Sequence, residues 1–143
     1  MQLSKQVLIQ INSRFDIAQL PPRVIAEHNW GDYCDAKDVF SGKFWKDLCD
    51  VQDWFAATNS LRFITDEAFW YYAPAMMSVC LSAPGDSDLL PEYFVEEVFR
   101  RWDSKDSYLS PSQVSLVKEV LSIFITAQEY EIDNNKAKKV IQK

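Results

Sequence analysis

The side chains that could act as nucleophiles or metal ligands are few and scattered. His28 is the single histidine, and Cys34, Cys49 and Cys80 are the three cysteines. A Cys–His pair would have to bring His28 to one of those thiols, and no flanking residues have the pattern of a cysteine-protease site. With an odd count and no CxxC spacing, the cysteines read as reduced thiols and not as a disulfide framework or a zinc site. The acidic stretch DYCDAKD, residues 32–38, lacks the ligand spacing and the glycine of a calcium loop. A GxSxG elbow, a phosphate-binding P-loop and an HExxH pair are absent. Twenty-one acids generate carboxylate pairs by chance, so spacing alone singles out no acid–base pair. The chain is therefore expected to carry no catalytic residue, no metal and no cofactor.

Aromatic chemistry is more concentrated. In TDEAFWYYAPAMM, residues 65–77, a capped helix start runs into four consecutive aromatics and then Pro74. On a helix, Phe69, Tyr72, Ala73, Met76, Met77 and Cys80 share one side, while Trp70, Tyr71 and Pro74 lie around the rest. A helix that is apolar nearly all round belongs at the centre of its domain. Pro74 lacks the amide that would reach the Trp70 carbonyl, and its ring crowds that carbonyl, so a bend is expected there. Two roles stay open for the segment. It is a buried axis whose tyrosines tie down neighbouring loops, or it opens an aromatic pocket or contact patch from Trp70 and Tyr71 with Trp30 or Trp45. Tyr and Trp are the types most enriched at binding hot spots. Adding the acids and tyrosine beside Trp30, the candidate protein-contact set is Trp30, Asp32, Tyr33, Asp35, Trp45, Trp70 and Tyr71.

The elements that must position these residues follow from composition and spacing. The 143 residues are 48% hydrophobic and 14% aromatic, enough for one well-filled core, and three glycines are too few for glycine-rich phosphate loops or many hairpins. Helical periodicity or capping signals mark Leu3–Phe15, with a stripe of Leu3, Val7, Leu8, Ile11 and Phe15, then Pro22–Glu27, one or two turns over Asp35–Phe40, and Asp50–Ala57. LRFI, residues 61–64, reads as a brief extended piece, and Thr65 caps a helix to about Leu81. Leu90–Trp102 follows, with Phe94, Val95, Val98 and Phe99 inward and a Glu96–Arg100 pair outward. DSKDSY reads as a loop. Ser110, Pro111 and Gln113 then open a helix to about Tyr130, and Asn134–Gln142 forms a last, weakly anchored, lysine-rich helix. The prediction is all-α: one domain over 1–143, a bundle of about five to seven helices around a central helix at about 66–81 kinked at Pro74.

In order, Phe15, FSGKFWKDL, LRFITDEAFWYYAPAMM and LSPSQVSLVKEVLSIFI resemble the landmarks of a family of small bacterial proteins bearing a domain of unknown function. That pattern has a Gly-Lys-x-Trp segment, an aromatic-Tyr-Tyr-Leu-Pro-Ala helix and a helix opening Leu-Thr/Ser-Pro-x-Gln. The likeness spans roughly residues 5–127. It departs at Ala73, where the family tends to have Leu, and at Trp70, where a basic residue is common. The resemblance implies a shared helical fold and carries over no catalytic residue.

A net charge of −6 and a pI of about 4.7 disfavour nucleic acid, although four lysines fall in the last eight residues. Seven acids against three lysines between Glu27 and Asp53, and five acids with no base between Asp86 and Glu97, suit either solvated faces or a basic partner. No apolar run is long enough to cross a membrane, and the expected location is the cytoplasm. The leading functional expectation is a non-catalytic binding protein, an immunity-type inhibitor that neutralises a basic bacterial toxin by direct contact. The alternatives are a general interaction or regulatory module with no toxin partner, and a small-ligand binder or enzyme with a novel pocket. Exposed aromatics would equally suit a homo-oligomer face.

Overall fold

The computed structural model of the chain describes residues 2–25, 37–55, 57–87, 89–127 and 129–143. The predicted sites at Trp30, Asp32, Tyr33 and Asp35 lie outside them, as do Ala26 and Glu27; the rest of the expected Pro22–Glu27 helix is corrected, because residues 22–25 are non-helical and Ile25 forms an isolated bridge to Ile64. The fold is all-α. Among the described residues there are five α-helices of nine residues or more: α1 (Gln2–Arg14), α2 (Asp66–Ser82), α3 (Leu90–Arg101), α4 (Pro111–Thr126) and α5 (Asn134–Gln142).

Helix α2 is the axis. Every residue from Ala68 to Leu81 is buried, so the all-round apolar sequence is matched by an all-round apolar environment. α1, α3 and the turn at Trp45–Leu48 pack against it. Its start is fixed by Thr65, whose hydroxyl oxygen accepts from the Ala68 amide at 3.0 Å and donates to the Arg23 carbonyl at 2.7 Å. Thr65 thus caps the helix and also holds the chain that follows α1. Helical geometry runs through Pro74 to Ser82 without a break, and the Ser78 hydroxyl donates to the Pro74 carbonyl at 2.7 Å.

The remaining helices close around this axis. α4 begins with the predicted capping box: Ser110 Oγ accepts from the Gln113 amide at 3.2 Å, and Gln113 Oε1 accepts from the Ser110 amide at 2.8 Å. Gln113 Nε2 also donates to the Arg14 carbonyl at 2.8 Å, joining the start of α4 to the end of α1.

Several sequence expectations are corrected. Between Trp45 and Phe63 the chain makes three 3₁₀ turns, Trp45–Leu48, Val51–Trp54 and Thr58–Phe63, in place of an α-helix over Asp50–Ala57. Asp50 Oδ1 accepts from the Gln52 amide at 3.0 Å and Asp53 Oδ2 from the Asp50 amide at 3.2 Å, so local carboxylates close the second turn and compete with α continuation. LRFI belongs mostly to the third of these turns, and only Ile64 is extended, in an isolated antiparallel bridge to Ile25. DSKDS, residues 103–107, is also 3₁₀, as part of Trp102–Ser107, and Tyr108 caps it.

Leu3 is exposed, and Phe99 and Val114 are half-buried, whereas Leu116, Val120 and Ile123 are buried. α4 stops at Thr126, which frees Tyr130 to donate its hydroxyl to the Cys80 carbonyl at 2.9 Å.

Charged residues differ most. Glu96 pairs with Lys136 of α5 at 2.6 Å, and Arg100 pairs with Glu97. α5 is packed against α3 and α4 with Ala137 and Val140 buried, so the lysine-rich end is an integral helix and not a weakly held tail.

Candidate functional site

The segment after α1 leaves the helix at Phe15 and returns toward α2, and Trp45 is drawn under it. Trp45 Nε1 donates to the Asp16 carbonyl at 3.2 Å, and the Trp45 ring meets Phe15 edge-on at 6.5 Å between centroids. Tyr71 fastens the same segment from below. Its hydroxyl donates to the Gln19 carbonyl at 3.2 Å and accepts from the Trp45 amide, also at 3.2 Å. One phenol therefore satisfies two backbone groups on different elements, as a buried tyrosine requires. The Tyr72 hydroxyl lies between two carbonyls of the turn at Gly42, Phe40 at 2.7 Å and Lys43 at 2.6 Å, and shares its one proton between them. Gly42 has a φ of 76°, a left-handed turn that glycine adopts without strain.

A cavity of about 460 Å³ opens above this arrangement, with Phe15, Trp45, Trp70 and Tyr71 along its walls. Asp16, Gln19 and Leu20 from the segment after α1, Glu67 from the first turn of α2, and Ser107, Tyr108 and Gln113 also line it. Three of the predicted contact residues, Trp45, Trp70 and Tyr71, are thus brought together at one site. They are walls and not an exposed patch, being 1%, 0% and 7% exposed respectively. Trp70 is held from behind: Nε1 donates to Ser104 Oγ at 3.0 Å, and its ring lies edge-on to Trp102.

The rim was missed by sequence reasoning. Leu20 is 79% exposed and Tyr108 43%, two large apolar side chains at one opening. The only sequence signal is Leu20 standing immediately before Pro21-Pro22, where proline forces an extended, outward backbone. Two carboxylates share this cavity. Asp16 Oδ1 accepts from the Ala18 amide at 2.8 Å, and exposed Glu67 has no hydrogen bond or ion pair with its surroundings among the described residues. Burial pushes the Tyr71 phenol above its ordinary pKa, with the Trp45 hydrogen bond acting downward and the charges of Asp47 and Asp16 adding to the rise. No lysine or arginine among the described residues lines the cavity. Arg14 and Lys46, neighbours in sequence of wall residues, are engaged by the Ser112 carbonyl and the Asn12 side chain. A wider groove of about 710 Å³ between α1 and α4 includes Leu3, Val7 and Ile123, but it mixes Lys118 with Glu119 and holds none of the predicted contact residues.

A second charged cluster lies away from this cavity. Arg101 donates through Nε to Glu97 at 2.8 Å, through Nη1 to Asp66 at 2.8 Å and through Nη2 to the Leu61 carbonyl at 2.8 Å. Its guanidinium also sits 5.1 Å from the Phe69 ring centre. Every polar partner is a fold element, so the cluster ties α2, α3 and the third 3₁₀ turn together.

Burial raises the pKa of Cys80, fully enclosed in α2, and also that of half-buried Cys49, which disfavours the thiolate at both positions; His28 and Cys34 lie outside the described residues. Among the described residues no group of three or more His, Cys, Asp or Glu side chains could hold a metal ion, and no helix is long and apolar enough to cross a membrane. Comparisons with protein-family models, with curated proteins and with solved structures give no match to this chain.

Proposed function

We propose that this chain is a non-catalytic binding protein whose contact face is the rim of the Trp45–Trp70–Tyr71 cavity, and that it acts as an immunity-type inhibitor of a basic bacterial toxin. The observation that supports the reading is one of arrangement. Two large exposed apolar side chains, Leu20 and Tyr108, flank two carboxylates over a floor fixed by hydrogen bonds to the core. Exposed apolar anchors supply contact area, and a rigid floor lowers the ordering cost of association. An excess of acid at the rim, on a chain of net charge −6, steers the encounter toward a positively charged surface. The polar groups of the walls are largely committed to the scaffold, which suits complementarity better than turnover.

The test is functional rescue. Products of genes adjacent to this one in the native host are expressed alone and together with this chain. One of them is expected to arrest growth alone, to be harmless in the pair, and to co-purify with the chain. Leu20→Asp should abolish both protection and co-purification while leaving the circular-dichroism spectrum unchanged. A partner that co-purifies through this face without toxicity would favour a general interaction module, and the absence of any toxic or co-purifying neighbour would remove the inhibitor reading.

A further inference from the structure

We propose that the cavity receives a single arginine side chain of the partner, its guanidinium held by Asp16 and Glu67 and its stem laid between Leu20 and Tyr108. The inference rests on the binding face assigned above and specifies what enters it.

The carboxylates arrive from different elements, Asp16 from the segment after α1 and Glu67 from the first turn of α2. Of Asp16, only Oδ1 is occupied, by the Ala18 amide, and Glu67 is unpaired among the described residues. Both therefore retain accepting capacity, and no cation of this chain among the described residues lines the cavity to neutralise them. The amides at the start of α2 offset part of the Glu67 charge, since a helix N-terminus favours an acid, but they leave the site acidic.

Leu20 and Tyr108 add apolar surface to a cavity lined by two carboxylates, a combination that discriminates between cations. A lysine ammonium is compact and strongly hydrated, whereas guanidinium is planar, more weakly hydrated, and able to donate in two directions while stacking on an aromatic face. Tyr108 offers a half-exposed ring and Leu20 an aliphatic surface on the same opening. Two backbone acceptors of the segment are already engaged, the Asp16 carbonyl by Trp45 Nε1 and the Gln19 carbonyl by the Tyr71 hydroxyl. The two carboxylates are the charged acceptors that a new donor would find there.

The probe is N-acetyl-arginine amide, titrated into isotope-labelled protein at low salt, with the lysine and norleucine amides in parallel. The Trp45 indole N–H and the backbone amides of Gln19 and Ser107 report. Saturable shifts are expected at these groups with the arginine compound, and binding should weaken as salt is raised. Asp16→Asn keeps the Oδ1 acceptor for Ala18, and Glu67→Gln changes an exposed side chain, so neither should disturb the fold. Each is expected to weaken the arginine probe by about threefold or more, in line with loss of one exposed ion pair, and the double variant to abolish saturation. Equal shifts with norleucine, lysine binding as tight as arginine, or a double variant that binds normally would each overturn the assignment, as would an arginine probe that shifts nothing. The result is separable from that of the inhibitor reading. Arginine binding without any protected toxin leaves the pocket standing and removes the partner, whereas protection without arginine binding does the reverse.

Discussion

Replacing Arg101 by methionine probes the interior of this fold at its most charged point. The Arg101 side chain is 3% exposed and Glu97 8%, and their separation is 2.8 Å. Methionine retains much of the aliphatic stem but removes the donors to Glu97, Asp66 and the Leu61 carbonyl. Asp66, at 43% exposed, can turn to water. Glu97 cannot, and its remaining partner is Arg100, whose own side chain is 53% exposed. Breaking one side of a buried pair costs roughly 3–5 kcal/mol because the other charge is stranded. Against a total stability of about 5–15 kcal/mol that is a large fraction. With a urea m-value of about 2 kcal/mol per molar, the unfolding midpoint should fall by roughly 2 M. Removing both charges should hurt less. In the Glu97→Met/Arg101→Met double variant no carboxylate is stranded, so the combined cost should fall short of the sum of the single costs by about 1–3 kcal/mol. Urea denaturation of the four proteins gives the cycle directly. A cost below about 1 kcal/mol for Arg101→Met, or strict additivity in the cycle, would refute the claim that this buried charge is held by its pairing with Glu97.

Val140 is 0% exposed on α5, so Val140→Asp should cost at least about 3 kcal/mol through an unpaired buried carboxylate, while Lys139→Asp on the exposed side should stay within about 0.5 kcal/mol. Equal thermal midpoints for the two variants would show that the last helix is not docked. Stability should fall in alkali. Burial raises Tyr72 and Tyr130 above their ordinary 10.0 and Cys80 above 9.0, so the unfolded chain releases these three protons first, and the stabilisation present below pH 9.0 is lost as pH rises. Each proton that the folded state keeps after the unfolded chain has lost it steepens the fall by about 1.4 kcal/mol per pH unit. An unfolding midpoint that stays flat from about pH 8 to 11 contradicts this. By the same shift, Cys80 should resist thiol-labelling reagents in the native protein and become reactive on unfolding.

What could be read in the sequence depended on how local the cause was. The starts of α2 and α4 were legible because Thr65, Ser110 and Gln113 act on amides within three residues of themselves. The axis itself was legible because an apolar circumference has one stable location. The α-helix expected over Asp50–Ala57 is absent for an equally local reason. Apolar residues spaced three or four apart fit an α-helix and a succession of 3₁₀ turns alike, and the carboxylates of Asp50 and Asp53 decide between them. Charges were the least legible. Glu97 and Arg101 have the same i,i+4 spacing as a solvent-facing pair, and only the approach of Leu61 and Asp66, 40 and 35 residues away from Arg101, makes theirs an interior one.

The candidate site combines both kinds of cause. Its floor was legible: an aromatic run rich in tyrosine had to place its phenols against something, and Tyr71 places its hydroxyl between the Gln19 carbonyl and the Trp45 amide. Its rim was not, because Asp16, Leu20, Glu67 and Tyr108 come from three separate stretches of chain, and nothing within any one stretch marks them as neighbours. The floor determines what the rim can be. Tyr71 fixes the Gln19 carbonyl and Trp45 fixes the Asp16 carbonyl, so the backbone between them is anchored at both ends and Leu20 must project beside it. The two roles left open for the aromatic segment are therefore compatible. Its tyrosines tie down a neighbouring loop, and the tied loop presents a surface. Trp45, Trp70 and Tyr71 would then influence binding through the position of Asp16 and Leu20, not through direct contact, so variants in the walls should weaken binding only to the extent that they loosen the segment above.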